Sequence, residues 1–298
     1  ISTPLNYINT NPVAFLNFNF NDVVTPPNFN NIYDSFSIVT KKYTKIDAIT
    51  LDRYIPAKIK QIDYIKSIIT MFNLMIIPDK NSPNRLIIVS RNEYFNTGII
   101  KDWTDKVNHN EKIEETLISE QQSRTIKLTY KSDKDYYNTF YTDNTKTIFG
   151  EYVLDLENEW VEGEKKIEVI FSPTPVGKLL GSNDIYLPII AKFDEKTSIY
   201  GRTDCNIRFI RKRKLPLLTE HTLKFENNTT LLNVYPYCGH LDHPLEPQID
   251  YNFDAVKFSF YPELTYLPAD NLVNLYWKNY LDEISDKNAK LIKCKIYL

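Results

Sequence analysis

The chain has 298 residues, of which 42% are hydrophobic and 25% are charged, and these proportions exclude a disordered or collagen-like polymer. A net charge of −2 provides no overall positive field that would attract nucleic acid or anionic lipid. Three scattered cysteines do not make a disulfide framework. Aromatic residues reach 13%, with 21 Tyr and 16 Phe against 7 Gly, and this composition favours strands and large contact surfaces.

The first sixty residues contain short apolar runs between turn signals. Three of these runs predict strands, namely Val13–Phe20, Ser35–Thr40 and Ile46–Leu51. Within the first run, apolar and polar side chains alternate with period two, which is typical of a half-buried strand.

The clearest helix of the N-terminal half follows these runs. Apolar side chains recur there at three- and four-residue spacing, which predicts one buried helix face made of Ile62, Ile65, Ile68, Ile69 and Phe72. A turn-rich segment then separates Leu74–Ile77 from Leu86–Val89, so a helix followed by a hairpin is predicted. The apolar stretch at residues 65–77 is too short and too polar to cross a bilayer.

Beyond Trp103 the pattern becomes one of regularly spaced strands. The predicted strands are Ser123–Tyr130, Glu151–Leu156, Lys165–Phe171, Ile185–Phe193, Cys205–Ile210 and Leu231–Tyr235. A helix is predicted at Asn271–Ile284 with Asp270 as its cap, and a last strand begins at Lys290. The fold class predicted is α+β and β-dominated, with barrel-like or sandwich domains and a few helices. Residues 1–107 form the predicted N-terminal domain, and residues 108–298 form a second β domain elaborated at about 150–230.

Two groups of side chains have the composition of a reactive site. The first is a possible zinc set of Cys238, His240, Asp242 and His243, but its spacing matches no usual ligand motif. We therefore interpret it as a tight loop whose polar side chains bond the backbone, and we predict no metal and no cofactor. The second is a carboxylate-rich run that reads as a solvated loop and holds Glu157, Glu159, Glu162 and Glu164. The chain lacks a nucleophile elbow and a phosphate-binding glycine loop, so we predict no enzymatic activity.

A basic run is the one candidate contact site. It consists of Arg208, Arg211, Lys212, Arg213 and Lys214. These cations are predicted to contact either DNA phosphates or an acidic face of a partner subunit. The alternative is a charged strand end and loop in water.

Several stretches resemble the tail hub proteins of tailed bacteriophages, especially those of crAss-like phages of gut bacteria. These stretches are Gln61–Leu74, Pro78–Ile88, Asp102–Val107, Tyr235–Asp242 and Tyr276–Tyr280. Together they reach from about residue 55 to the end of the chain, and none is a catalytic signature.

The resemblance implies a structural protein of the virion tail, assembled in the cytoplasm of the bacterial host. Such a hub forms a homo-oligomeric ring, three-fold in the first place and six-fold as the alternative. It joins other tail or ring proteins to the distal tail components and lines the channel through which DNA leaves. Near-neutral charge suits a channel, because a strongly basic lumen would hold the DNA instead of letting it slide. The alternative hypothesis is a carbohydrate-binding or glycan-degrading surface protein, which needs a concave site with exposed aromatic side chains.

Overall fold

The structure is a computed structural model that describes residues 59–297, apart from residues 83, 100, 119–121, 158, 160, 180–181, 183, 198, 202, 204–205 and 226–227. The fold is mixed α+β and rich in strands, as predicted, and the described residues form small separate sheets and no closed barrel. The strands predicted before residue 52 lie outside the described residues.

The described residues contain four α-helices and thirteen strands. In chain order these are α1 (Gln61–Met71), β1 (Leu74–Pro78), β2 (Leu86–Ser90), α2 (Arg91–Asn96), β3 (Glu114–Leu117), β4 (Thr125–Tyr130), α3 (Tyr136–Thr145), β5 (Tyr152–Asp155), β6 (Glu164–Val169), β7 (Val176–Lys178), β8 (Tyr186–Pro188), β9 (Lys192–Asp194), β10 (Ile199–Gly201), β11 (Arg211–Phe225), β12 (Asn228–Gly239), α4 (Lys278–Ser285) and β13 (Lys290–Lys293). A 3-10 turn spans Thr104–Lys106, and a π-helical turn at Val273–Trp277 runs directly into α4.

The predicted helix and hairpin are confirmed, and the predicted helix face is confirmed in part, since Ile68 and Phe72 pack against the main core. α1 buries Ser67 and Met71, whereas Ile62 and Ile65 are about half exposed. Side chains four residues apart, such as Ser67 and Met71, lie on one face. The hairpin pairs β1 with β2 from Leu74 opposite Ser90 to Pro78 opposite Leu86. Two apolar stripes therefore overlap on α1, and the one that contains Met71 faces the core, whereas the one that contains Ile62 and Ile65 faces outward.

The main core lies over a three-stranded sheet in the order β5-β4-β6. Its central strand, β4, runs antiparallel to β5 and parallel to β6. α1 and the C-terminal helix both contribute side chains to this core, and the indole Nε1 of Trp277 donates a hydrogen bond to the Met71 carbonyl at 3.4 Å. Residues on both sides of position 107 therefore share one core.

The C-terminal helix begins one residue later than its sequence suggests. The side-chain oxygen of Asn271, and not that of Asp270, accepts the backbone N–H of Asn274 at 2.8 Å. A side-chain acceptor three residues before its donor is the usual helix cap. After α4, β13 pairs antiparallel with β3, which confirms the first part of the strand predicted from Lys290 to Leu298.

A long two-stranded ribbon contains the predicted strand Leu231–Tyr235, which is confirmed as part of β12. β11 and β12 pair from Arg211 opposite Gly239 to Phe225 opposite Asn228, with a break in register between Pro216 and His221. The base of this ribbon packs into a second, smaller core. The strand predicted at Cys205–Ile210 is wrong, because residues 206–210 form no strand and instead bond to residues 172–173.

Gly150 is a position where this packing requires glycine. Its φ is +72°, and a Cβ built there would lie 2.3 Å from the side-chain oxygen of Asn252. Its carbonyl accepts the backbone N–H of Phe253 at 3.0 Å. The turn after α3 is thus in close contact with the loop that carries Asn252.

We predict that Gly150→Ala lowers the free energy of unfolding by clearly more than Gly163→Ala. Both positions have positive φ, which costs an alanine roughly 1–2 kcal/mol, but Gly163 has no atom within 4 Å of the added Cβ. Urea unfolding of the two variants measures the difference. Equal losses would show that Asn252 moves aside without cost.

Candidate interaction surface

Arg208, the first residue of the basic run, is buried in an ion cluster. Its Nη2 lies 2.5 Å from Asp133 Oδ2 and 3.1 Å from Asp135 Oδ2, and its side chain is 5% exposed. Its Nη1 donates to the Pro173 carbonyl. This corrects the prediction for Arg208, because a guanidinium enclosed by two carboxylates and a carbonyl is not available to DNA or to a partner.

The same cluster fixes the start of α3. Asp135 is the helix cap, and its Oδ1 accepts the backbone N–H of Asn138 at 3.2 Å. Its Oδ2 accepts the Asn138 side-chain amide as well as Arg208. Arg208 therefore joins a helix terminus to the segment that leads into β11.

The other four cations lie on β11, where alternation divides them between two faces. Arg211 lies over the ring of Tyr251, 5.5 Å from its centroid, and Arg213 lies 3.5 Å from a carboxylate oxygen of Asp242. These two arginines share the inward face with the buried Leu215. Lys212 and Lys214 are exposed on the opposite face. Lys212 and Lys214 form the exposed basic surface on this side of the ribbon, which we call the lysine face, and Arg213 is itself 46% exposed on the other side.

The predicted loop is confirmed from His240 onward, where Asp242 and His243 bond the backbone, whereas Cys238 and Gly239 end strand β12. Asp242 Oδ1 accepts the N–H groups of Gln248 and Ile249, and His243 Nδ1 accepts those of Leu245 and Glu246. No three His, Cys, Asp or Glu side chains within the described part of the chain are placed to hold a metal ion. Burial raises the pKa of the Cys238 thiol, which keeps it protonated at neutral pH.

His240 is the centre of a buried polar group beside this loop. Its Nδ1 lies 2.6 Å from the Asn252 side-chain oxygen, and its ring lies 4.8 Å from that of Tyr130, whose hydroxyl donates to the Tyr251 carbonyl. Burial, together with the nearby charge of Arg208, lowers the pKa of His240 to about 4. The imidazole is therefore neutral at physiological pH.

Asp250 is the second buried titratable group in this region. One of its oxygens accepts the backbone N–H of Asn252 at 2.8 Å. Burial raises the pKa of Asp250 to about 7, and the charges of Asp254 and Asp242 act in the same direction. The cavity lined by His240 and Asn252 measures about 20 Å³, which is room for about one water molecule and too little for a substrate.

An aromatic cluster covers the start of α3 and was not predicted from the sequence. The rings of Phe193 and Tyr200 lie 4.9 Å apart, and Tyr136 contacts both of them. Phe140 and Tyr200 are 43% and 38% exposed. The sequence does show several aromatic residues close together at positions 136–141. Their contacts with the aromatic residues at positions 193 and 200, however, depend on the tertiary fold.

The β1–β2 hairpin presents an apolar face to solvent. Ile76 and Ile88 are directly opposite each other in register, and Leu86 lies two positions along on the same face. These three side chains are 42%, 60% and 64% exposed. Contiguous exposed apolar surface of this kind is typical of an interaction site.

Comparison of the chain with protein-family models, with curated proteins and with solved structures finds no match. Within the described ranges, no helix is both long enough and apolar enough to cross a membrane.

We predict that Arg208→Met destabilises the protein by about 3–5 kcal/mol, because it leaves Asp133 and Asp135 buried without their counter-charge. The matched control is Lys101→Met, which removes an exposed cation and should change stability by less than about 0.5 kcal/mol. Denaturant unfolding at neutral pH measures both variants. Similar small losses would show that the two carboxylates find water or another partner.

We predict that His240 and Asp250 give opposite pH dependences of stability, which offset each other in the native protein. Between about pH 4.5 and 6.5 the unfolded chain binds a proton on His240, and the folded chain binds one on Asp250. The Asp250→Asn variant keeps the proton uptake of His240 on unfolding and loses the proton release of Asp250. Its free energy of unfolding should therefore rise with pH across this window by up to about 1 kcal/mol per pH unit. In His240→Gln only the Asp250 effect remains, so stability should fall with rising pH.

Urea unfolding at several pH values between 4.5 and 6.5 measures these slopes. Slopes of the same sign in the two variants would contradict the assignment of a neutral imidazole and a protonated carboxyl group.

Proposed function

We propose that this chain is a structural subunit of an oligomeric assembly and, specifically, the tail hub subunit of a phage virion. The observation that carries the proposal is the apolar face of the β1–β2 hairpin, formed by Ile76, Leu86 and Ile88. Aliphatic side chains exposed together in this way favour burial against another protein chain. The hub assignment itself is supported by the sequence resemblance.

The first and last of the stretches that resemble tail hubs are in contact with each other in the fold. The side-chain amide of Asn73 donates to the Tyr276 carbonyl at 3.0 Å, and the rings of Phe72 and Tyr276 lie 5.3 Å apart. These residues belong to the first and last of the resembling stretches. This contact between two stretches that are about 200 residues apart in the chain supports a shared architecture.

The small sheets support assembly into a ring. Each sheet among the described residues has only two or three strands, so most strands have a free edge. Free edges pair readily with other chains, and closure into a ring removes them. In the proposed hub, neighbouring subunits complete barrel-like or sandwich domains around a three-fold or six-fold axis. The ring contacts other tail proteins and surrounds a channel through which DNA passes without specific binding. We assign no catalytic residue.

We predict a solution mass of three or six times the chain mass of 35.0 kDa by light scattering, with closed rings in negative-stain images. Replacing Leu86 and Ile88 by serine should shift the protein towards the monomer, because it removes apolar surface that the ring buries. The matched control is Ile292→Ser, since Ile292 is 56% exposed on β13. A folded wild-type protein that stays at 35.0 kDa at micromolar concentration would contradict the proposal.

The aromatic cluster favours a second candidate, a carbohydrate-binding surface. Sugars stack on exposed rings, and Phe140 and Tyr200 present two of them side by side with Tyr136. A sugar that raises the melting temperature of a monomeric wild-type protein, but not that of Tyr200→Ala, would favour this candidate over the hub.

A further inference from the structure

The β11–β12 ribbon extends beyond the element on which it packs. Its base is held by the buried side chains of Leu215, Tyr235 and Tyr237. Beyond the register break after Pro216, no third strand pairs with either of its strands within the described residues. A two-stranded sheet alone is marginally stable in water, so this ribbon gains stability when a partner covers it.

The outward side of the ribbon has the composition of a protein contact. On the lysine face, Lys212 and Lys214 lie beside Val234 and Pro236, which are opposite Pro216 and Lys214 in register. Val234 is 44% exposed, and farther along the ribbon Leu218 is 78% exposed. Apolar side chains flanked by cations suit a protein surface, whereas a phosphate backbone offers nothing to the apolar part.

The charge of the ribbon differs in sign from that of the rest of the chain. Residues 211–239 contain five Lys or Arg and two Asp or Glu, a net charge of +3, and the whole chain has a net charge of −2. The remaining residues therefore carry a net charge of −5. A second copy of this chain offers the ribbon a surface of complementary charge.

Within the rest of the chain, the loop between β5 and β6 presents exposed acidic groups. Glu157, Glu159 and Glu162 are exposed, and none of them is in an ion pair with another described residue. By contrast, Glu111 and Glu115 are paired with lysines of their own chain. The β5–β6 loop thus has carboxylates available for contact with another subunit.

We propose that the β11–β12 ribbon docks on a second copy of the chain, with its lysine face against the carboxylates of the β5–β6 loop. The inference rests on the proposed oligomeric function and names the surfaces that form the contact. The two surfaces differ, so the contact is head-to-tail, and repetition of a head-to-tail contact closes a ring when the rotation between subunits permits it. Lys212 and Lys214 set the register of the contact, and the apolar side chains between the ribbon strands are buried by it.

Charge reversal tests this contact. Lys212→Glu with Lys214→Glu, and separately Glu157→Lys with Glu162→Lys, should each reduce the mass seen by light scattering from the oligomer to 35.0 kDa. The chain that carries all four substitutions restores opposite charges across every contact, so it should return to the wild-type mass whatever the ring symmetry. The control is Lys101→Glu with Lys287→Glu, which makes the same charge change at exposed positions elsewhere and should leave the mass unchanged.

The outcomes separate this contact from the general proposal. An oligomeric wild type whose mass survives the Lys212 and Lys214 reversal, or a fourfold variant that stays monomeric, overturns the contact and leaves the hub function standing. A monomeric wild type overturns the hub function and the contact together. If the lysine reversal leaves the mass unchanged but abolishes a gel shift of duplex DNA, the ribbon is a nucleic-acid contact, and this too overturns the proposal. Circular dichroism of every variant checks that the chain remains folded.

Discussion

The buried cluster of Arg208, Asp133 and Asp135 is the interaction on which the arrangement of the surrounding elements depends. A guanidinium can satisfy two carboxylates and a carbonyl at once because its donors form a fixed planar fork. Here that fork joins the first residues of α3, the backbone at Pro173 and the segment that becomes β11. Arg208 lies three residues before β11 begins, so this cluster sets the direction in which the ribbon extends from the main core. Removing the cation would leave two carboxylates in a region from which water is excluded, and this makes the cluster a strict constraint on the position of the ribbon.

The same low-dielectric interior determines the state of the neighbouring polar groups. Burial disfavours any charged form, so it lowers the pKa of His240 and raises the pKa of Asp250, and both groups tend to be neutral. A neutral His240 bonds Asn252, whose backbone N–H in turn bonds Asp250. Asn252 also fills the space that the missing side chain of Gly150 leaves open. The loop at residues 240–252 is thus held by hydrogen bonds and close packing, with an ion pair between Asp242 and Arg213.

Local patterns in the sequence predicted the local elements well. The α1 helix and the β1–β2 hairpin follow from apolar spacing and turn residues, but two apolar stripes overlap on α1, and spacing alone does not decide that Ile62 and Ile65 stay outside. The helix α3 was not predicted because its side chains are aromatic and polar with little amphipathic pattern.

The role of Arg208 could not be predicted from the sequence either. Its partners Asp133 and Asp135 lie more than seventy positions earlier, and nothing local distinguishes it from the arginines that follow. The length of the ribbon was hidden by Pro216 and Pro236, which usually argue against a long strand and are tolerated here because both strands are edge strands.

The order of cations in β11 gives the two faces of the strand different surroundings. Consecutive residues of a strand point to opposite faces, so a run of four charges must place two of them towards the body and two towards solvent. The inward pair is arginine, and a guanidinium both stacks on a ring and bonds a carboxylate, as Arg211 and Arg213 do with Tyr251 and Asp242. The outward pair is lysine, whose compact ammonium is strongly hydrated and lies in water. Exchange of the two residue types would leave hydrated ammonium groups against the body and less hydrated guanidinium groups outside. The alternation of Arg and Lys along β11 is therefore consistent with an inward face that anchors the ribbon and an outward face that remains available for assembly.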